Sequence, residues 1–116
     1  TNTAQLLYDI EFTEKVIEYF NIKDKKDDIY ELKKYGFYRT ELIFTIKFSI
    51  EKKIDLSKII KEIKKTKKSI YKIAERYGYD VEKNFFSSIE IRKRIESEVN
   101  DFDKLRKIIK KEFVDE

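Results

Sequence analysis

The 116-residue sequence contains no cysteine, histidine, methionine, tryptophan or proline, and it has only two glycines. Without cysteine the chain has no disulfide, no thiolate nucleophile and no cysteine-ligated zinc. Without histidine it lacks the commonest general base and metal ligand. A serine such as Ser87 or Ser88 therefore has no base to activate it. We predict a protein that is not an enzyme, with no catalytic, metal-binding or cofactor-binding residues.

Two glycines, Gly36 and Gly78, are too few for the tight turns of an all-β domain. Apolar residues make up 41% of the chain and aromatic residues 15%, which is enough for a hydrophobic core. The abundance of lysine, glutamate, isoleucine and leucine favours helices. The sequence predicts one all-α domain over residues 1–116. We expect a compact bundle of about six to seven helices, with two repeated helix-turn-helix hairpins and a long helix near the C-terminus.

No apolar run approaches the length of a membrane span, so no transmembrane segment is predicted. The sequence begins at Thr1 and holds no methionine, so we expect the natural chain to start before this residue. A removed export signal is one explanation. The localisation stays unknown, because an exported mature protein and a cytoplasmic protein are both compatible with the sequence.

The first third of the chain has helical periodicity. Apolar spacing predicts a helix over residues 3–21, and Thr13 is a candidate cap for a second helix within that range. A helix over about residues 26–35 follows, and Gly36 stands where a C-terminal glycine belongs.

Residues 41–54 fit two patterns. Apolar and polar residues alternate from Phe44 to Ile50, which is typical of a strand. The isoleucines of the same segment also form a helical stripe. No other segment alternates in this way, and a lone strand cannot satisfy its backbone hydrogen bonds. We predict a helix here.

Capping residues divide the second half of the chain into four predicted helices. Asp55 precedes a helix over residues 56–65, and Ser69 precedes a short helix that ends at Gly78. Asp80 precedes a long helix of about eighteen residues, and Asp101 precedes the last helix. The residues predicted to be buried are Phe85, Ile89, Ile95 and Val99 in the long helix and Phe102, Leu105, Ile109 and Phe113 in the last one.

Two segments, residues 27–44 and residues 58–75, align with each other at a shift of 31 residues. The two segments are DDIYELKKYGFYRTELIF and KIIKEIKKTKKSIYKIAE. Between them, Ile29 matches Ile60, Leu32 matches Ile63, Lys33-Lys34 match Lys64-Lys65, and Leu42 matches Ile73. Each segment has the pattern of a helix, a turn of about four residues and a second helix. We predict that they are copies of one helical hairpin. Chance similarity in a lysine-rich chain is the alternative.

The first segment carries the pattern I-x-x-L-K-K-x-G-x-x-x-x-E-L, and the second ends in I-A-x-x-x-G. The matching residues are Ile29, Leu32, Gly36 and Glu41 in the first segment and Ile63, Ile73, Ala74 and Gly78 in the second. Over residues 27–80 the chain resembles small helical bacterial domains with paired segments of the type L-R-K-x-G-x-x-W-x-x-I-A-K-x-L-G, often behind an export signal. Here Lys67 and Ile70 replace the second glycine and the tryptophan. The resemblance implies a small helical domain with no assigned activity.

Basic residues are densest between residues 58 and 68. The candidate contacts for nucleic acid or another anion are Lys61, Lys64, Lys65, Lys67, Lys68, Lys83 and Arg92. One interpretation is salt-sensitive binding to phosphates without sequence preference. The other is a solvated helix face whose cations favour the C-terminal dipole. Ala74 and Gly78 fit a DNA-binding helix-turn-helix, but Asn84 stands where its next helix needs an apolar residue.

Aromatic residues cluster around the two predicted inter-helix turns. The candidate aromatic interaction surface consists of Tyr35, Phe37, Tyr38, Tyr71 and Tyr79. Such rings offer a surface to a peptide, a glycan or nucleobases. Rings that fill the edges of the core, with their hydroxyls in water, are the alternative.

Together these features favour a non-enzymatic helical protein-interaction module. Its expected partner is another protein or a second copy of the chain, and no small-molecule ligand is inferred. The alternative is a helix-turn-helix-like nucleic-acid-binding domain that uses the basic segment 58–94.

Overall fold

The computed structural model describes the backbone of residues 2–114, and the side chains of residues 3–99 together with Lys107. Helices account for almost all of this backbone, and no strand forms in it. The six α-helices are α1 Asn2–Phe20, α2 Lys26–Lys34, α3 Thr40–Lys52, α4 Leu56–Thr66, α5 Ile70–Arg76 and α6 Val81–Val114. A 3₁₀ turn at Lys23–Lys25 precedes α2. The predicted all-α bundle with a long C-terminal helix is confirmed.

The ambiguous segment forms the central helix, α3. It packs against α2, α4, α5 and α6, while α1 packs mainly against α6. From Leu42 to Ile46 every α3 side chain is buried, and so is Phe48. A helix buried on nearly all sides carries apolar residues at both the helical and the strand spacing. The strand-like alternation is therefore a consequence of central burial.

Thr13 does not begin a second helix, so that prediction is wrong. The residue lies inside the continuous helix α1, with its side chain fully buried. Its hydroxyl Oγ1 donates a hydrogen bond to the backbone carbonyl of Asp9 at 2.8 Å. A threonine hydroxyl that bonds the carbonyl four residues back is satisfied within the helix and needs no cap position.

Three of the predicted caps are confirmed. The Asp55 carboxylate accepts a hydrogen bond from the Ser57 backbone N–H at 3.4 Å. Ser69 Oγ accepts one from the Lys72 N–H at 3.3 Å, and Asp80 Oδ1 accepts one from the Lys83 N–H at 3.1 Å. Each bond satisfies one of the free amides in the first turn of a helix.

The fourth predicted cap, Asp101, is wrong, because α6 continues through this position for 34 residues in all. At 1.5 Å per residue this gives a rod of about 51 Å. The chain has no glycine or proline after Gly78, and an aspartate inside a helix costs only about 0.7 kcal/mol relative to alanine. The predicted burial of Phe102, Leu105, Ile109 and Phe113 lies outside the described side chains.

The inner face of α6 is more polar than predicted. Ile95 and Val99 are buried as expected, but Phe85 and Ile89 are only half-buried. Asn84 and Ser88 are buried instead. Ser88 Oγ donates to the Asn84 carbonyl at 2.7 Å, and Asn84 Nδ2 donates to the Asp80 carbonyl at 2.8 Å. Short polar side chains are thus buried without unsatisfied groups.

The two predicted repeat units share local structure. Gly36 and its equivalent Lys67 both follow a helix and both have positive φ, +90° and +56°. The equivalent apolar residues are buried in both segments, as Ile29 with Ile60, Leu32 with Ile63, and Leu42 with Ile73. A common left-handed turn explains why one segment has glycine there. Duplication of one hairpin stays a prediction.

Candidate functional site

The structure brings the two inter-helix turns together at one groove. Helix α2 packs against α4, so the turns that follow them are neighbours. The groove has a volume of about 840 Å³ and is lined by Tyr35, Phe37, Ile63, Lys64, Lys67, Lys68 and Ser69. We call it the turn groove. It combines two of the predicted aromatic residues with three of the predicted lysines.

A tight helix ending places the aromatic residues of the turn groove. Gly36 has φ +90°, a left-handed conformation that glycine adopts without a steric penalty. The Phe37 N–H donates to the Leu32 carbonyl at 3.2 Å, and the Gly36 N–H donates to the Lys33 carbonyl at 3.0 Å. This Schellman pattern folds Phe37 back against the helix end. Tyr35 remains 47% exposed beside it.

The turn after α4 supplies two of the groove lysines, Lys67 and Lys68, while Lys64 lies in the last turn of α4. Lys67 has φ +56°, and its N–H donates to the Ile63 carbonyl at 2.9 Å. Thr66 Oγ1 then accepts a hydrogen bond from the Lys68 N–H at 3.3 Å. These bonds hold Lys67 and Lys68 at the surface, where both side chains are exposed.

The charge of the groove is positive. Lys64 Nζ pairs with Glu31 Oε1 at 2.6 Å and lies 5.6 Å from the centre of the Tyr35 ring. The hydrogen bond to Glu31 raises the pKa of Lys64. Among the described residues, no ion pair forms with the side chains of Lys67 and Lys68. None of the described residues that line the groove is a carboxylate, so the groove favours an anionic ligand.

The other predicted basic contacts do not line the turn groove. Lys61 and Lys65 are exposed on α4, and Lys83 is exposed in the first turn of α6. Arg92 is half-buried, and its guanidinium bonds Thr40 Oγ1 at 2.9 Å and pairs with Glu96 at 3.3 Å. Asn84, at the start of the helix that would enter DNA, is buried.

The predicted aromatic surface is divided between surface and core. Tyr38 is exposed but lies outside the turn groove. Tyr71 packs edge-on against Phe44, with ring centres 4.8 Å apart. Tyr79 is only 8% exposed, and its hydroxyl donates a hydrogen bond to Glu51. Tyr71 and Tyr79 are therefore packing residues in this structure.

Sequence reasoning missed two residues of the groove, Ile63 and Ser69. Ile63 has the spacing of a buried helix face, and Ser69 has the position of a helix cap, so each already had a structural explanation. Their place in the groove follows from the packing of α2 against α4. The alignment of the two segments is the one feature of the sequence that pointed to neighbouring turns.

The described part of the chain contains neither a cluster of metal-binding side chains nor a helix that could span a membrane. Its carboxylates form no cluster of three or more that a metal ion would require. None of its helices combines the length and apolar character needed to cross a bilayer.

Comparison with known proteins gives no match: no family model, no curated protein and no solved structure is similar to this chain. The resemblance over residues 27–80 therefore stays a prediction.

Proposed function

We propose that this chain is a non-enzymatic helical protein-interaction module whose turn groove binds an acidic segment of a partner protein. The observation that supports this is the composition of the groove. Tyr35, Phe37 and Ile63 supply apolar surface, lysines border it, and no carboxylate is among its described lining residues. An acidic peptide with apolar side chains matches both properties.

The groove fits a peptide better than a nucleic acid. Ile63 is aliphatic and provides no ring on which a base can stack. Lys64 is already paired with Glu31, so it offers less charge to a phosphate. Two of the predicted stacking residues, Tyr71 and Tyr79, pack against core rings. A row of exposed rings, which single-stranded binding uses, is therefore missing from the groove.

Nucleic-acid binding is the second candidate, and one observation favours it. Lys61, Lys65, Lys67 and Lys68 are all exposed on α4 and the turn that follows it. Such lysines neutralise phosphates without reading sequence. This candidate predicts binding to duplex DNA and to RNA that falls steeply as salt rises.

A second copy of the chain is the alternative protein partner. Leu6, Leu7 and Ile10 are exposed on the first half of α1, and they form the largest run of exposed aliphatic side chains in that helix. Exposed apolar residues of this kind are common in contacts between proteins. Sedimentation equilibrium from micromolar to millimolar concentration measures whether copies associate.

The turn groove is tested by fluorescence anisotropy with four labelled probes. They are an acidic peptide containing leucine and phenylalanine, the same peptide with its acids changed to glutamine, the same peptide with its apolar residues changed to serine, and a random single-stranded DNA. We expect the first peptide to bind best, because only it matches both charge and apolar surface.

Two variants connect the binding to the groove. Tyr35→Ser removes an exposed ring, and Lys68→Glu reverses a charge at the border. We expect each to weaken the first peptide about tenfold, the effect of losing one good contact of about 1.4 kcal/mol. Lys93→Glu on α6 makes the same charge change away from the groove and should alter affinity less than about twofold.

The outcomes separate the candidates. Equal binding of all three peptides, or no effect of either groove variant, contradicts the proposal. Tighter binding of DNA than of the acidic peptide, lost at high salt and weakened equally by Lys65→Glu, supports the second candidate. Turnover of a substrate by the purified chain would contradict the non-enzymatic assignment.

A further inference from the structure

A second cavity lies on the side of α1, and it shares no lining residue with the turn groove. It has a volume of about 530 Å³ and is lined by Gln5, Leu6, Asp9, Ile10, Tyr30, Lys33, Tyr38 and Arg39. We call it the α1 pocket. Its size is within the range of small-molecule sites in proteins.

The central polar group of the α1 pocket is the ammonium of Lys33. Lys33 is half-buried on α2, and its Nζ donates to Thr13 Oγ1 at 2.7 Å. Since the Thr13 hydroxyl donates its own hydrogen to the Asp9 carbonyl, the two bonds are compatible. An ammonium has three donors, so two of them are left for another acceptor.

Lys33 lacks a carboxylate partner among the described residues. No ion pair forms with its ammonium within 4 Å, although a half-buried cation is costly without one. Desolvation lowers the pKa of Lys33, with the attraction of Asp9 acting in the opposite direction. The ammonium is thus held in a partly apolar environment that an added anion would neutralise.

Asp9 is the only carboxylate among the described residues that line the pocket, and it is already paired. Asp9 Oδ1 contacts Arg39 NH2 at 3.3 Å, and the same guanidinium bonds Glu96 at 2.9 Å and lies over the Tyr8 ring. Arg39 is therefore fixed by several contacts. With Lys33 and Arg39 against Asp9, the described lining residues carry a net charge of +1. One monovalent anion matches that charge.

Apolar side chains form the rest of the pocket wall. Leu6 is 61% exposed and Ile10 is 50% exposed, and they lie one helical turn apart on α1. The Tyr38 ring lies 5.8 Å from Lys33 Nζ. A hydrocarbon chain that covered Leu6 and Ile10 would remove apolar surface from water while its charged end reached Lys33.

We propose that the α1 pocket binds a small monocarboxylate with a hydrocarbon tail, with the carboxylate on Lys33 and the tail on Leu6, Ile10 and Tyr38. The carboxylate accepts the two remaining ammonium donors, which are charge-assisted hydrogen bonds. The Thr13 hydroxyl positions the ammonium. The proposal is independent of the turn groove, because the two sites have no residue in common.

The test is a ¹H–¹⁵N NMR titration of the full chain with octanoate, and with octanol as a probe that has the same tail and no charge. We expect saturable shifts of amides near Leu6, Ile10, Lys33 and Tyr38 with octanoate, and at least tenfold weaker binding of octanol. Shifts that do not saturate, or that octanol reproduces at the same concentration, overturn the proposal.

Matched lysine variants provide the second measurement. Lys33→Met keeps the length of the side chain and removes its charge, and we expect at least tenfold weaker octanoate binding. Lys34→Met is the control, since Lys34 is exposed and does not line the pocket, and it should change affinity less than about twofold. Equal affinity of the two variants overturns the proposal.

A third variant keeps the proposal testable if Lys33→Met unfolds the chain. Leu6→Asp changes an exposed residue, so the fold should be retained. It places a carboxylate in the path of the tail, and we expect it to weaken octanoate at least tenfold. Unchanged octanoate affinity in this folded variant contradicts the proposed position of the tail.

Discussion

The chain contains the motif tyrosine-glycine-aromatic twice, and the two copies have the same backbone but differ in how far their rings are exposed. Tyr35-Gly36-Phe37 ends α2, and Tyr77-Gly78-Tyr79 follows α5. In each motif, the N–H of the third residue donates a hydrogen bond to the carbonyl five residues before it. The glycine N–H donates to the carbonyl three residues before the glycine. Both glycines have positive φ. Local sequence therefore specifies one helix ending in both places.

The rings of the two turns have different roles. The first turn leaves Tyr35 47% exposed and contributes it to the turn groove. The second turn leaves Tyr79 only 8% exposed, with its ring packed against Phe44 and Phe48. Both hydroxyls of this turn are fixed by hydrogen bonds, because Tyr77 donates to Glu62 and Tyr79 donates to Glu51. The helices packed around each turn decide whether an aromatic ring stays exposed or is buried in the core.

We expect the largest difference in stability between the two turns when a tyrosine ring is removed. We expect Tyr79→Ala to lower the free energy of unfolding by about 3 kcal/mol, because a large core ring leaves a cavity. Tyr35→Ala should change it by less than about 0.5 kcal/mol, since its ring is largely exposed. Urea denaturation followed by circular dichroism measures both. If both variants lost the same free energy of unfolding, the assignment of Tyr35 to the surface and Tyr79 to the core would be wrong.

Substitution of the glycines should give nearly equal effects at the two turns. We expect Gly36→Ala and Gly78→Ala each to cost about 1 kcal/mol, because an L-residue at positive φ is strained. A Cβ at Gly36 meets no atom within 4 Å, and one at Gly78 meets only Lys52 Nζ, at 4.0 Å. Strain alone therefore determines the cost.

Asparagine variants at the same two positions are the control for backbone strain. Asparagine tolerates the left-handed conformation better than alanine, so Gly36→Asn and Gly78→Asn should recover part of the loss. A loss at Gly78→Ala several times that at Gly36→Ala would show that packing, and not strain, dominates at the second turn. Thermal and urea unfolding measure the stability of the alanine and asparagine variants at both positions.

The smallest expected effect is a pH dependence specific to the buried tyrosine. Burial and the hydrogen bond to Glu51 raise the pKa of Tyr79. Because the folded pKa is above the unfolded value, its contribution to stability is present below about pH 10 and is lost as pH rises further. Between pH 9 and pH 11, wild type should lose up to about 1 kcal/mol more than Tyr79→Phe.

Tyr35→Phe is the control for this pH effect, since it leaves Tyr79 intact and should lose stability with pH as wild type does. Lysines also titrate in this range, so the difference between variants is the quantity to compare. An identical pH dependence of wild type and Tyr79→Phe would show that Tyr79 does not titrate differently in the folded state.

Most of the fold could be predicted from the sequence, because helix boundaries depend on local chemistry. Asp55, Ser69 and Asp80 cap the helices that they were expected to cap. Thr13 and Asp101 are also of residue types that cap helices, but they lie inside continuous helices. A capping residue satisfies free amides only where a helix begins, and nothing local ends the helix before either residue.

The candidate site was less predictable, because it depends on how helices pack. The lysines and aromatic residues of the turn groove were identified by clustering in sequence, and so were Tyr71 and Tyr79, which lie in the core. The aromatic residues of the groove and those of the core have similar neighbours in the sequence, so the sequence does not distinguish them. The α1 pocket gave no sequence pattern at all, because Lys33 meets Leu6 and Ile10 only through the packing of α2 beside α1.

The hydrogen bonds of α6 have a mechanical consequence. Its buried Asn84 bonds Asp80, the residue that caps the helix, and Ser88 bonds Asn84. Between Val81 and Val99, side-chain hydrogen bonds join α6 to the other helices at one place, where Glu96 meets Arg39 and Arg92 meets Thr40. The rest of this part of the helix is positioned by side-chain packing. We expect this part of α6 to respond to a load by pivoting about that polar junction.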